Sequence, residues 1–250
     1  MRPVISVIIP TLNEENYLPK LLTDLKKQTE KKFEVIIVDG YSDDKTKEVV
    51  SMFKHDLNLY FFNSSKRHLA LQRNIGANKA KGEYLFFVDA DTRIKSDAIE
   101  KAIFHITQEH HGVYLPVIVS SNPRLSYKTL VASTVILVKL LQKIGIPLSI
   151  GPIILIKKDL FDTIGGFSLQ TTASEDHNLI IKAYKKGEKA RFLSDVGCTF
   201  SMRRFERDGI CNILWKYTIF TIETLIKGGV YKKSNYEMGG HNYENASVTE

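Results

Sequence analysis

Four short apolar runs punctuate the first part of the chain: Val4 to Ile9, Phe33 to Val38, Leu57 to Phe62 and Glu83 to Val88. Each has the length of a strand. The stretches between them have helical spacing. Leu18, Leu21, Leu22 and Leu25 share one helix face, Asp43 to Phe53 reads as a second helix, and 67–80 as a third ending near Gly82. Continuous apolar runs suit strands buried on both faces, and apolar residues three and four apart mark a helix. Strand, helix, strand in repetition implies right-handed βαβ units. The expected fold is therefore α/β, with a mostly parallel central sheet flanked by helices.

In such sheets ligands bind at the carboxyl ends of the strands. The polar residues of this chain fall there. The first run leads into Pro10-Thr11-Leu12-Asn13-Glu14, the second into Asp39-Gly40-Tyr41-Ser42-Asp43, the fourth into Asp89-Ala90-Asp91. Asn13 is also placed to cap the first helix, and Asp43 reads equally as a helix cap or a ligand contact. Asp39, at a strand end, can accept hydrogen bonds from a base or ribose. Residues i and i+2 of an extended chain share a face, so Asp89 and Asp91 point together. Two hard carboxylate oxygens can hold Mg²⁺ or Mn²⁺ while leaving positions for phosphate.

The second half is less regular. Helices are expected over 96–109, 126–143, Lys158 to Ile164, Glu175 to Lys186 and 210–227. Strands are expected over Val113 to Val119 and Ile153 to Ile156, with one or two more in 189–201. The 250 residues divide into one domain over 1–227 and a loose polar tail over 228–250. Within the domain, 1–95 is the regular half that carries the polar strand ends, and 96–227 is the less regular half.

Composition narrows the class. Hydrophobic residues make up 43% and charged residues 25%, which excludes disorder and fibrous repeats. The +7 balance suits an anionic partner, but no nucleic-acid-binding motif is present. Cys198 and Cys211 lack metal-ligand spacing and suit a reducing compartment. The first apolar run is too short for a signal peptide, and no run reaches the length of a membrane span. The expected location is the cytoplasm, with contact at the inner face of the cell membrane.

Taken together, Val7-Ile-Ile-Pro-Thr-Leu-Asn-Glu14, Val35-Ile-Ile-Val-Asp-Gly-Tyr-Ser-Asp43, Arg73-Asn-Ile-Gly-Ala77 and Ala80-Lys-Gly-Glu-Tyr-Leu-Phe-Phe-Val-Asp-Ala-Asp91 resemble the family 2 glycosyltransferases. Gly165-Gly166-Phe167 and Glu175-Asp176 extend the likeness, which covers roughly residues 4 to 205. The resemblance implies a GT-A fold, with 1–95 as the nucleotide-sugar-binding half and 96–227 as the acceptor-binding half, and an inverting, metal-dependent transfer from a UDP- or GDP-sugar. It implies that Pro10, Thr11, Asn13, Glu14, Asp39 and Asp43 line the nucleotide pocket, with Arg73 near the base or phosphates. Asp91 with Asp89, flanking Ala90, would anchor Mg²⁺ or Mn²⁺ on the diphosphate. Asp176, beside Glu175, would be the general base. Gly40-Tyr41 departs from the Asp-Gly that many members carry. His177 follows Asp176 but is expected to point elsewhere on its helix, in a structural role.

Two features stay open between readings. Arg203 and Arg204 follow a strand and read either as a basic surface turn or as a fork for the diphosphate. In the last helix Asn212, Lys216, Glu223 and Lys227 make one narrow polar stripe, so most of its circumference seeks burial in the core or in a membrane interface. The apolar helix around Leu130 to Leu141 raises the same question. These two helices and the basic balance fit a lipid-linked acceptor, while the acceptor expected overall is a hydroxyl of a glycan or of a lipid-linked carrier. The competing readings are transfer onto a polyprenyl phosphate, a non-catalytic nucleotide- or glycan-binding domain, and a nucleotidyltransferase.

Overall fold

The structure is a computed structural model and describes residues 3–151 and 153–231. In chain order its elements are β1 (Ile5–Thr11), α1 (Leu18–Lys26), β2 (Phe33–Asp39), α2 (Thr46–Met52), β3 (Leu59–Asn63), α3 (Leu69–Lys79), β4 (Tyr84–Phe87), β5 (Arg93–Ile94) and α4 (Ala98–Glu109). Then follow β6 (Val113–Ser120), α5 (Leu125–Lys143), β7 (Ile154–Lys157), α6 (Lys158–Thr163), α7 (Glu175–Lys185), β8 (Arg191–Phe200), α8 (Arg203–Asp208) and α9 (Ile210–Lys227).

The strands form one sheet in the order β3-β2-β1-β4-β7-β6-β8-β5. The β3-β2-β1-β4 half is wholly parallel, as the alternation predicts. Beyond it β7 runs antiparallel to both β4 and β6, while β6 and β8 are parallel. Every residue of β1 and β2 is buried. Their side chains alternate between two apolar layers. Val7, Val35, Ile37 and Phe86 enter one, and Ile8, Ile36, Val38 and Phe87 the other. This period of two explains why the runs are apolar on both faces, save for buried Ser6 and Glu34, where the Ser6 hydroxyl donates to Glu34 at 2.7 Å.

Parallel register places the functional strand ends side by side, with Thr11 opposite Asp39. The ends are tied by Gln72 of α3, whose buried amide nitrogen donates to the carbonyls of Thr11 and Val38, each at 2.8 Å. α3 lies close on the sheet because Gly76 faces Ile8. A Cβ at position 76 would sit 2.4 Å from Ile8 Cγ2. Gly76→Ala is therefore expected to destabilise the protein by about 1–3 kcal/mol through overpacking. An unchanged chemical-denaturation midpoint would remove this close approach from the account.

Several local expectations are corrected. Asn13 does not cap α1, which begins at Leu18 with Tyr17 at its N-cap. Its backbone is left-handed, at φ 55°, and its side chain accepts from the amide of Asp43 at 2.8 Å. Asparagine tolerates that conformation, so Asn13 joins two loops. Asp43 is no cap either. Asp44 accepts from the Thr46 amide at 2.9 Å, and exposed Asp43 pairs with Arg67 at 2.6 Å. β5 and α8 had no counterpart in the sequence reading, and 189–201 holds a single strand with a register shift opposite Pro116 and Ile118. α5 is long and apolar enough to cross a membrane by length and composition, contrary to the expectation that no run would be. The first residues of the expected tail are packed, with Val230 buried and bridged to Ala173. The remainder, 232–250, lies outside the described residues.

Candidate active site

A cavity of about 400 Å³ opens over the carboxyl ends of β1 and β4. Pro10, Glu14, Arg73, Asp89, Ala90, Asp91, Glu175, Asp176, Arg203 and Arg204 all line it. The sheet supplies the first acids. Val88, past the end of β4, is fully buried, and the chain then turns so that Asp89 and Asp91 face the opening. The α7 N-terminus supplies Glu175 and Asp176, entered through Ser174 in a left-handed conformation.

Arg73 joins the two acidic motifs. Its guanidinium donates to Asp89 Oδ1 at 2.8 Å and to Glu175 Oε1 at 2.7 Å, and stacks 5.3 Å from the Phe167 ring centre. The side chain is only 1% exposed. Burial opposes its charge, but the two carboxylates outweigh burial and keep it protonated. The sequence reading placed Arg73 near the base or phosphates. In the structure it lines the cavity and clamps Asp89 to Glu175. Glu175 is itself buried, and burial raises its pKa despite Arg73. Asp176, the next residue, is part-exposed to the cavity.

Arg203 makes a second bridge. It pairs with Glu14 at 2.7 Å and Asp91 at 3.1 Å, and lies 4.5 Å from the Tyr17 ring centre. One guanidinium shared by two carboxylates cannot offset the desolvation of both. Burial pushes Glu14 up to about 7 and also raises Asp91. Arg204 reaches the Tyr217 hydroxyl at 3.3 Å. Neither arginine lies on an open surface turn: Met202 is buried, and both begin α8 against the cavity.

Four expected residues are not in the lining. Thr11 and Asp39 are buried beside it, where Asp39 accepts from Thr11 Oγ1 at 2.8 Å, Ser42 Oγ at 2.6 Å and the Ser42 amide at 2.7 Å. Asn13 and Asp43 belong to the neighbouring loops. His177 is the opposite case: it lines the cavity, its Nδ1 accepting from the Ser149 amide at 3.2 Å. The helix-angle argument that turned it away failed because the cavity wraps around the first turn of α7. Tyr17 and Ser149 were missed, since nothing in their local sequence marks them, and Phe167, although part of the Gly165-Gly166-Phe167 motif, was given no role.

The donor set can be tested for a divalent cation. Among the described residues no three His, Cys, Asp or Glu side chains converge as a ligand group. The lining carries five acids (Glu14, Asp89, Asp91, Glu175, Asp176) and three arginines (Arg73, Arg203, Arg204), two negative charges in excess when all are ionised. A diphosphate brought there would add to that excess. Two carboxylates with too few ligands to close a cage suit an ion bound jointly with phosphate, which is how Mg²⁺ is commonly held. The residues fit such an ion.

Comparison with known proteins gives the family and the fold. Residues 6–165 match the model of glycosyl transferase family 2, and the chain belongs to that family. It is 31% identical over 218 residues to an uncharacterized glycosyltransferase of Haemophilus influenzae, covering 80% of this chain and 70% of that protein. It is 30% identical over 204 residues to the poly(ribitol-phosphate) β-N-acetylglucosaminyltransferase TarS of Staphylococcus aureus. That match covers 80% of this chain but 35% of TarS, so the chain spans about a third of that relative. The structure of S. aureus TarS 1-349 in complex with UDP-GlcNAc superposes with a TM-score of 0.64 at 26% identity, covering 79% of this chain and 58% of that one. A mannosyltransferase of Pyrobaculum calidifontis, solved with GDP-Man and Mn²⁺, shares the fold at a TM-score of 0.63 and 24% identity, covering 80% of this chain and 57% of that one. The fold is GT-A.

Proposed function

We propose that this protein is an inverting, metal-dependent glycosyltransferase that moves a sugar from a nucleotide-sugar donor to a hydroxyl of a glycan or lipid-linked acceptor. The observation that carries the reading is the Arg73 clamp, which holds the Asp89-Ala90-Asp91 end of β4 and the Glu175-Asp176 end of α7 at one cavity. A UDP-sugar is the favoured donor class, supported by the likeness to TarS with bound UDP-GlcNAc. A GDP-sugar is the alternative.

In this mechanism the donor lies over the ends of β1 and β4. Asp91 and Asp89 would hold Mg²⁺ or Mn²⁺, which when bound would neutralise charge on the diphosphate leaving group. Arg203 and Arg204 offer guanidinium forks to the phosphates. Asp176 takes the proton of the acceptor hydroxyl as its oxygen attacks the anomeric carbon. The bond to the diphosphate oxygen breaks on the opposite face, and the configuration inverts. Glu175, fixed by Arg73, sets the position of the helix end that carries Asp176. The cytoplasm, at the inner face of the membrane, is the proposed location, consistent with Cys198 and Cys211 both being free thiols.

The test is nucleoside diphosphate release from UDP-, GDP- and dTDP-sugars, with detergent-solubilised lipid extract as acceptor. Release from one donor that needs Mn²⁺ or Mg²⁺, and falls at least about a thousandfold in Asp91→Ala, is the expected result. Equal release in the presence of a chelator would refute metal dependence.

A further inference from the structure

The proposed transfer leaves α5 and α9 unexplained. Both are turned the wrong way for core helices. α9 buries only Ile213, Phe220 and Thr224 along its length. Trp215, Ile219, Ile222 and Ile226 follow one another at helical spacing and face solvent, Trp215 at 67% and Ile226 at 76% exposure. α5 packs Tyr127, Val131, Val135 and Val138 inward, and leaves Ile136, Leu137 and Leu140 outside, Ile136 at 59% exposure. Contiguous exposed apolar surface of this kind marks an interaction site.

The two faces meet at the cavity. Thr134 and Leu137 of α5 and Leu214 and Thr218 of α9 line it and are themselves exposed, so they form its rim. Inside the rim the walls are apolar, with Leu130, Val138, Ile150 and Phe220 leading toward Asp176. The apolar surface therefore surrounds an apolar entrance to the catalytic carboxylates.

We infer that the α5–α9 face is a docking surface for an anionic lipid bilayer. Charge selects this occupant. α5 carries Lys128, Lys139 and Lys143 and no acid, and Arg124 precedes it. Lys139 turns back over Phe192, while Lys128, Lys143 and Arg124 are exposed beside the apolar stripe. The only acid of α9, Glu223, is paired with Lys227 at 3.0 Å. A second copy docked through the same face would bring these cations toward one another, whereas anionic headgroups compensate them. A helix that buries one apolar face in the headgroup boundary, with Lys and Trp at its border, is the interfacial arrangement. α5 lies on the membrane and does not cross it, because its other face is committed to β6. The further consequence rests on the glycosyl-transfer reading: the acceptor carries a hydrocarbon chain that enters between α5 and α9 from the bilayer.

Trp215 is the only tryptophan of the chain and reports directly on the face. The full chain is mixed with phosphatidylcholine vesicles, plain or doped with phosphatidylglycerol. Flotation and Trp emission are followed, with brominated acyl chains as quenchers. With the anionic vesicles, flotation, a blue shift and quenching are expected. Lys128→Gln with Lys143→Gln should weaken binding about 25-fold, roughly fivefold for each cation lost near the surface. Ile222→Glu with Ile226→Glu, both at exposed positions, should abolish binding without lowering the melting temperature. The proposal is overturned if the wild type fails to float with anionic vesicles. It is equally overturned if the glutamate variant floats as well as the wild type, or if the blue shift follows protein concentration without lipid, which marks self-association. No donor or acceptor is present, so failure here leaves glycosyl transfer untouched, and failure of turnover leaves the docking result standing.

Discussion

Asp176→Asn should lower kcat by about two to four orders of magnitude while leaving nucleotide affinity within a few-fold of the wild type. The asparagine is nearly isosteric and keeps the helix start, but cannot take a proton from the acceptor hydroxyl. Nucleotide affinity is spared because Asp176 is assigned neither to the diphosphate nor to its metal in the proposed mechanism. The measurement is turnover with saturating donor and lipid extract, beside nucleotide binding on the same preparation. A variant that turns over at nearly the wild-type rate would remove Asp176 as base. It would then favour a phosphate acceptor, which is already an anion and needs no base. Glu175→Gln separates the two acids. It disturbs a buried ion pair, so its expected defect is in stability as well as in rate.

Arg73→Leu should be the most destabilising single change at the site. It leaves Glu175 buried with no cation and Asp89 without its 2.8 Å partner. Breaking a buried pair by removing one member costs about 3–5 kcal/mol. For a chain of this size that corresponds to a fall of roughly 6–20 °C in the melting temperature. Glu175 can relieve part of the cost by taking up a proton, which places the defect more strongly at high pH than at low. Arg73→Lys keeps one charge but not the fork, so it should restore the melting temperature only in part. A melting temperature for Arg73→Leu within 2 °C of wild type, an outcome outside that estimated range, would mean the clamp is not structural.

The first four strands were legible because each is mostly apolar, with most of its polar residues at its ends and Ser6 and Glu34 as buried exceptions. Asp89 and Asp91 stood out for that reason, as did Glu175 and Asp176 at a helix start. What escaped the sequence was tertiary. Asn13 has the chemistry of a cap, yet the loop of Ser42 and Asp43 claims it for another turn. Arg73 was marked as a site residue by the resemblance, but its bridge shows only once Asp89 and Glu175 are brought to it from distant positions. The two-residue β5 is too short to carry a pattern, and forms because β8 is there to pair with it. The apolar circumference of α9 was visible, but periodicity cannot distinguish a core face from a surface one. Only the packing shows that Trp215 and Ile226 face outward.

Calorimetric titration of UDP and GDP, each with Mn²⁺ and with a chelator, reaches the central claim most directly. With every lining carboxylate and arginine ionised the cavity carries two negative charges in excess, and a cation is proposed to offset them when a diphosphate binds. One nucleotide should bind in the presence of Mn²⁺, bind far more weakly with the chelator, and lose its metal dependence in Asp91→Ala. No binding of either nucleotide under any of these conditions would contradict the account.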